Sequence, residues 1–273
     1  MSQNIKNFSQ AERRQQIIQK LKLDGNVRVS DLSELLSTSE VTIRSDLAEL
    51  ENSGILQRVH GGAVQTVRNY YALNASERLE ERKNEKLQMA EIVANLVRDG
   101  DNIIINSGST CYYIALELRQ KKNLRIITHS IQVSEIFAED QDIEVILLGG
   151  LLNYQYMFTH GDDTMHQLNK YQVDKAILSA DGIDFDNGIT TYHHEVADLC
   201  NRMLMRASLA IVAADNSKIG HTAFSQVSDL EAIDYLVTDK QLKQKDLRQF
   251  EKLGIEVLAS EQNKQPINNK AEF

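Results

Sequence analysis

The chain has 273 residues, 42% hydrophobic and 25% charged, which is the balance of a globular protein with room for one large domain or two ordinary ones. No apolar run approaches a membrane span, the first ten residues hold no signal-peptide core, and two cysteines (Cys111 and Cys200) are too few for a disulfide framework, so the cytoplasm is the expected compartment. The net charge of -9 argues against bulk nucleic-acid binding, yet within residues 1–65 eight Lys and Arg balance eight Asp and Glu, so the rest of the chain carries all of it.

Taken in order, Ser9-Gln10-Ala11-Glu12 is a capping box and predicts a helix start. Ile17, Ile18 and Leu21 give that helix its apolar face, and Asp24-Gly25 ends it. Val27-Arg28-Val29 reads as a short extended piece. Ser30 is the expected cap of a second helix, Asp31 to Leu36, with Leu32, Leu35 and Leu36 inward. After Ser37-Thr38, Ser39 caps a third helix whose apolar stripe is Ile43, Leu47 and Leu50. Glu40, Thr42, Arg44 and Ser45 point away from that stripe. Gly54 suits a left-handed C-terminal cap. Residues 55–64 have strand, glycine turn and strand character, hence a hairpin.

Three short helices and a hairpin make a winged helix-turn-helix, with the third helix suited to a DNA major groove. A neutral reader of this kind needs its cations gathered on one face. Arg13, Ile17, Leu21, Ser39, Thr42, Ile43, Arg44, Asp46, Leu47 and the wing Val59-His60-Gly61-Gly62-Ala63 resemble the N-terminal pattern of the DeoR family of bacterial transcription regulators. Ser45 departs from the basic, Asn or Ala residue usual there. Side-chain chemistry places Ser39, Thr42, Arg44 and Ser45 at or near base edges and phosphates, and makes Arg13, Arg28, Arg58 and His60 phosphate candidates. Asp46, an acid on a DNA-binding helix, is expected to orient Arg44 or cap a neighbour.

Residues 65–74 lose the pattern and read as linker. Glu77 to Lys86 is a charged run, expected to open one helix continuing through Val97. Strands and helices then alternate. Ile103-Ile104-Ile105, Leu124 to Thr128, Ile143 to Leu148, Val173 to Leu178, Leu209 to Ala213, Ile233 to Val237 and Ile255 to Leu258 read as strands, with helices through Leu118 and over Glu195–Arg206. This predicts an α/β domain with a mainly parallel sheet. Ligands of such sheets sit at the carboxyl ends of strands, where the polar loops 106–110, 149–150, 181–184 and 215–218 fall. Ser107, Gly108, Ser109 and Thr110 at a strand-to-helix turn offer hydroxyls and N–H groups to an anion, or simply cap the helix; Lys218 adds a cation.

This half also resembles the DeoR family, through Ser107-Gly108-Ser109-Thr110, Gly149-Gly150, Gly161, Asp181-Gly182-Ile183-Asp184, Gly188-Ile189-Thr190-Thr191 and Asp215-x-Ser217-Lys218. The resemblance implies a ribose-5-phosphate-isomerase-like fold that senses phosphorylated sugars, and homo-oligomers, dimeric or tetrameric. It implies effector contacts from Asn106, Ser107, Gly108, Ser109, Thr110, Gly149, Gly150, Asp181, Gly182, Asp184, Thr191, His194 and Lys218. Five departures fall in this pocket. Asn106 stands where Asp is common, Asn153 and Met157 where basic residues are common, and His193-His194 where Asn-Glu is usual. The ligand is therefore expected to differ from the common one.

The expected organisation is a winged helix over residues 1–66, a linker over 67–82, the sensing domain over 83–260 and a polar tail over 261–273. The function implied is a repressor of a carbohydrate operon, released from operator DNA by a phosphorylated sugar. The alternative is an isomerase-like enzyme using Asp181, Asp184 and Lys218. No metal or cofactor is expected, because His193, His194 and Glu195 are adjacent on a helix and lack a further ligand. Cys111 reads as a small buried residue.

Overall fold

The computed structural model describes residues 8–24, 26–53, 55–59, 61–65 and 75–260. Gly25, Gly54, His60, the first half of the expected linker and the expected tail lie outside the described residues. The chain divides into two compact units, Met1–Lys83 and Asn84–Phe273.

The first unit opens with α1 (Gln10–Asp24). Its capping box is formed: the Ser9 N–H donates to Glu12 at 2.9 Å and the Glu12 N–H to Ser9 Oγ at 3.3 Å. β1 (Asn26–Arg28) follows. α2 (Val29–Leu35) starts earlier than expected, with Arg28 at its N-cap and Ser30 already inside the helix. The reason is local: Val29 is buried and its N–H donates to Gly61 O, so the helix begins where the chain leaves the sheet. α3 (Glu40–Asn52) is capped by Ser39, whose Oγ accepts the Thr42 N–H. β2 (Leu56–Val59) and β3 (Gly62–Gln65) form the hairpin, and β1 adds to β3 to give the antiparallel order β1-β3-β2. Gly62 makes the β1–β3 pairing possible, since a Cβ there would strike the Val27 carbonyl. Ile17, Leu21, Leu32, Ile43, Leu47 and Leu56 form the centre of one small core, each no more than 2% exposed.

α4 (Ala75–Glu80) and α5 (Lys83–Leu96) replace the single helix expected from the charged run. Arg82, in the left-handed region at φ 47°, breaks it.

The second unit contains β4 (Asn102–Ile105), α6 (Ser109–Leu118), β5 (Arg125–Thr128), α7 (Ile131–Ile136), β6 (Glu144–Leu147), β7 (Leu151–Asn153), β8 (Phe158–His160) and α8 (Asp162–Leu168). β9 (Val173–Ser179), β10 (Gly182–Asp184), β11 (Gly188–Thr191), α9 (His194–Met205) and β12 (Ala207–Ala213) follow. β13 (Ser225–Ser228), β14 (Tyr235–Thr238), α10 (Gln244–Lys252) and β15 (Glu256–Ala259) complete it.

Seven strands make one parallel sheet in the order β15-β14-β12-β9-β4-β5-β6. Ile103, Ile104 and Ile105 are all fully buried, and successive strand residues face opposite ways, so both faces of the sheet are covered. α9 buries Val196, Leu199, Cys200 and Met203 at helical spacing in the same core. Two small antiparallel additions, β7-β8 and β10-β11-β13, stand beside the main sheet. Chain order runs outward from β4 in both directions, so the sheet's switch point lies between the carboxyl ends of β4 and β9.

Candidate functional site

On α3 the buried residues are Ile43, Asp46, Leu47 and Leu50. The hydroxyls of Ser39 and Thr42 lie 2.8 Å apart and share the N-cap. Arg44 donates to Glu40 at 2.8 Å, and both side chains are at least half exposed. Ser45 is exposed on the same helix.

Asp46 pairs differently from the expectation. It is buried and accepts from Arg13 Nε at 2.5 Å and Arg14 Nε at 3.1 Å, so it anchors α3 to α1 and leaves Arg44 alone. Arg13 was expected at phosphate; its side chain is 12% exposed and held in this pair, which makes it a structural cation. Arg58 donates to Glu51 at 2.7 Å on the exposed hairpin, and those hydrogen bonds lower the Glu51 pKa. Arg28 is exposed at the junction of β1 and α2. The assignment made for His60 falls outside the described residues.

At the switch point, α6 begins at Gly108, whose φ of 117° suits glycine, and no side chain caps the helix. The helix N-terminus and the hydroxyls of Ser109 and Thr110 therefore stand where the fold places ligands. The loop is pinned from below. The Ser107 N–H donates to His129 Nε2 at 3.1 Å, and Ser179 Oγ donates to the Ser107 carbonyl at 3.2 Å. His129 Nδ1 lies 2.8 Å from the Thr159 carbonyl, which fixes Nδ1 as the protonated nitrogen and Nε2 as the acceptor. Burial drives the His129 pKa down to about 4.

Asn106 was expected to touch the effector. It is 4% exposed, and its Oδ1 accepts from the Ser179 N–H at 3.0 Å and from the Cys111 thiol at 2.8 Å. Its Nδ2 reaches Cys200 Sγ at 3.8 Å. The amide is engaged in joining β4 to β9, beneath the site. Burial pushes both thiols up to about 12, so they are inert neutral groups.

Asp181 Oδ2 accepts from Thr191 Oγ1 at 3.0 Å and from the Tyr192 N–H at 3.1 Å. Tyr192 Oη lies 2.6 Å from His221 Nε2. The His221 pKa is lowered, first by burial and then by the nearby Lys218 cation, so Lys218 and Asp181 share one neighbourhood with His221. Four other assigned residues also have architectural roles. Asp184 accepts from the Asp186 and Asn187 N–H groups at 3.0 Å and closes the β10–β11 turn. A Cβ on Gly182 would meet the His221 carbonyl and Thr190 Oγ1. Gly149 exchanges hydrogen bonds with Gln167, and a Cβ on Gly150 would strike Thr164 and the His160 carbonyl.

Three of the pocket departures, Asn153, His193 and His194, meet at Glu195. Its Oε1 accepts from Asn153 Nδ2 at 3.2 Å, and its carboxylate lies 3.7 Å from His193 Nδ1 and 3.3 Å from His194 Nδ1. A carboxylate is thus present one position after His194. Asn153 also accepts from the Gln155 and Tyr156 N–H groups, shaping the β7–β8 turn in which Met157 takes φ 55°. Tyr156 packs edge-on against His193, with ring centroids 4.2 Å apart. His129, Ser179, Tyr192 and His221 were missed by sequence reading, and Glu195 was weighed only as a metal ligand. His129 had a usable signal, because it follows the second strand directly, as Asn106 follows the first.

Comparison with known proteins agrees with this architecture. Residues 13–68 match the DeoR-like helix-turn-helix domain, and residues 81–240 match the DeoR C terminal sensor domain. The HTH-type transcriptional repressor GlcR of Bacillus subtilis is 32% identical over 93% of this chain and 98% of its own length. The HTH-type transcriptional regulator YulB of the same species is 33% identical over 91% and 96%. The lactose phosphotransferase system repressor of Streptococcus mutans is 32% identical over 84% and 92%. The ribose 5-phosphate isomerase A of Methanocaldococcus jannaschii overlaps 51% of this chain and 55% of its own at 19% identity and a TM-score of 0.38, a likeness too distant to speak to activity. The chain belongs to the DeoR family: it is a transcription regulator with an N-terminal DNA-binding winged helix and a C-terminal sensor domain.

Proposed function

We propose that the chain represses a carbohydrate operon and leaves its operator when a phosphorylated sugar binds the sensor domain. One observation carries the effector half: α6 presents an uncapped, glycine-opened N-terminus at the switch point of a parallel sheet, over a loop that His129 and Ser179 hold rigid. Ser109, Thr110 and the α6 N–H groups hold the phosphate in this reading, and Lys218 supplies a cation. Thr191, Asp181 and His194 flank the sugar. Arg44, Ser45, Arg28 and Arg58 meet operator DNA, with Ser39 and Thr42 setting the helix entry.

The domain boundaries at 66, 82 and 260 are part of this reading, supported by the division near Lys83. So is a dimer or tetramer, which paired operator half-sites require. The isomerase alternative needs Asp184 beside Asp181 as an acid–base group, whereas Asp184 is bound into a turn by Asn187.

The test is a gel-shift on DNA upstream of the protein's own operon, titrated with hexose, pentose and acid-sugar phosphates. A specific shift reversed by one of them is expected. A shift that none reverses removes the effector half, and no specific shift removes the repressor half. Effector release also demands that the sugar phosphate bind the weak-affinity state better than the strong one.

A further inference from the structure

We propose that Val41 reads a thymine in the operator, through contact with the 5-methyl group, and so helps set sequence specificity. The inference rests on α3 being the operator-reading helix. Buried Ile43, Asp46, Leu47 and Leu50 define the core side of α3. At ~100° per residue, Val41 falls almost diametrically opposite that side, with Arg44, Ser45 and Ala48 around it. It lies in the first turn of the helix, the part that reaches base edges in this docking mode.

Val41 is 77% exposed, although it is apolar and β-branched. Its neighbours Glu40 and Arg44 form an ion pair, and Ser39 and Thr42 share the cap. Val41 is therefore the apolar centre of a polar face. It cannot bind phosphate, and burying it against a polar base edge would strip that edge of water without replacement bonds. The thymine methyl is the one apolar group that a base pair presents in the major groove. A helix seated with this face inward places Val41 favourably only against that methyl.

The experiment uses the full chain and a duplex that it selects from a randomised pool. Each thymine of the duplex is replaced in turn by deoxyuridine, which removes the methyl alone. Wild type is expected to lose about four-fold in affinity at one thymine per half-site, the effect of one buried methyl-sized group. Val41→Ala is expected to bind the thymine and deoxyuridine forms equally at that position, while responding like wild type elsewhere. Val41→Ser serves as a second variant. Both changes are on an exposed helix surface, and matched far-UV circular dichroism excludes misfolding. If no thymine is sensitive, or if Val41→Ala keeps the wild-type sensitivity everywhere, the assignment is overturned. A pool that never enriches overturns operator reading itself, and this inference with it.

Discussion

Asp46 and Arg13 form a nearly buried ion pair, 2.5 Å between Oδ2 and Nε, that joins α3 to α1. Arg14 closes on the other carboxylate oxygen at 3.1 Å. Asp46→Ala would leave two guanidinium groups facing a site with no carboxylate. Removing one partner of a buried pair costs about 3 kcal/mol. The expected outcome is a winged-helix unfolding free energy lower by about that amount, seen in urea titration as a lower midpoint at unchanged slope. An unchanged midpoint would show that the pair contributes nothing net.

Arg44 is the opposite case. Its bond to Glu40 is an exposed pair four residues apart, worth about 0.5 kcal/mol or less. Arg44→Ala should therefore leave the urea midpoint nearly unmoved. Loss of a base-edge or phosphate contact should instead weaken operator binding about ten-fold or more. Operator affinity equal to wild type would remove Arg44 from the interface.

The two arginines show what was readable beforehand. The apolar stripe of Ile43, Leu47 and Leu50 was legible, because burial imposes helical spacing on the sequence. The same was true of the strands, whose unbroken apolar runs follow from burial on both faces. Partner choice was not legible. Nothing in the spacing shows that Asp46 meets Arg13 across 33 residues, or that Asn106 meets Ser179 across 73. Such long-range pairs engage Arg13 and Asn106, whereas Asp184 is engaged locally, by the N–H groups of Asp186 and Asn187. Of the sheet β10-β11-β13 only the extended piece Gly188–Thr191 was legible, because β10 and β13 are short and β13 joins from far along the chain.

His129 gives the sensor domain a pH dependence of known sign. Its pKa falls from 6.5 to about 4 on folding because burial penalises the imidazolium. Between those values the unfolded chain binds the extra proton and the folded chain does not. Stability is thus full above pH 6.5 and declines as the pH falls toward 4, by up to about 3 kcal/mol. Guanidinium unfolding of wild type and His129→Gln at intervals from pH 7 to pH 4 checks this. The variant should show a flatter decline, and identical slopes would exclude His129 as the titrating group.

Lys218 stands at the proposed effector site. It follows β12 in a 3₁₀ turn, Asn216–Lys218, capped by Asp215, and its charge is felt by His221. The turn's geometry comes from Asp215, which accepts from the Ser217 N–H at 3.0 Å, so Lys218→Ala should not disturb it. If Lys218 meets the phosphate or sugar oxygens, removing it takes away a charge-assisted hydrogen bond worth about 1.5 kcal/mol. The concentration of sugar phosphate that releases half the operator should then rise about ten-fold. Affinity for the operator without effector should stay at the wild-type value, since the change touches only the sensor domain. Gel-shift titrations of the two proteins in parallel separate these quantities. A ten-fold rise with unchanged basal affinity assigns the cation, whereas an unchanged release curve removes Lys218 from the effector site.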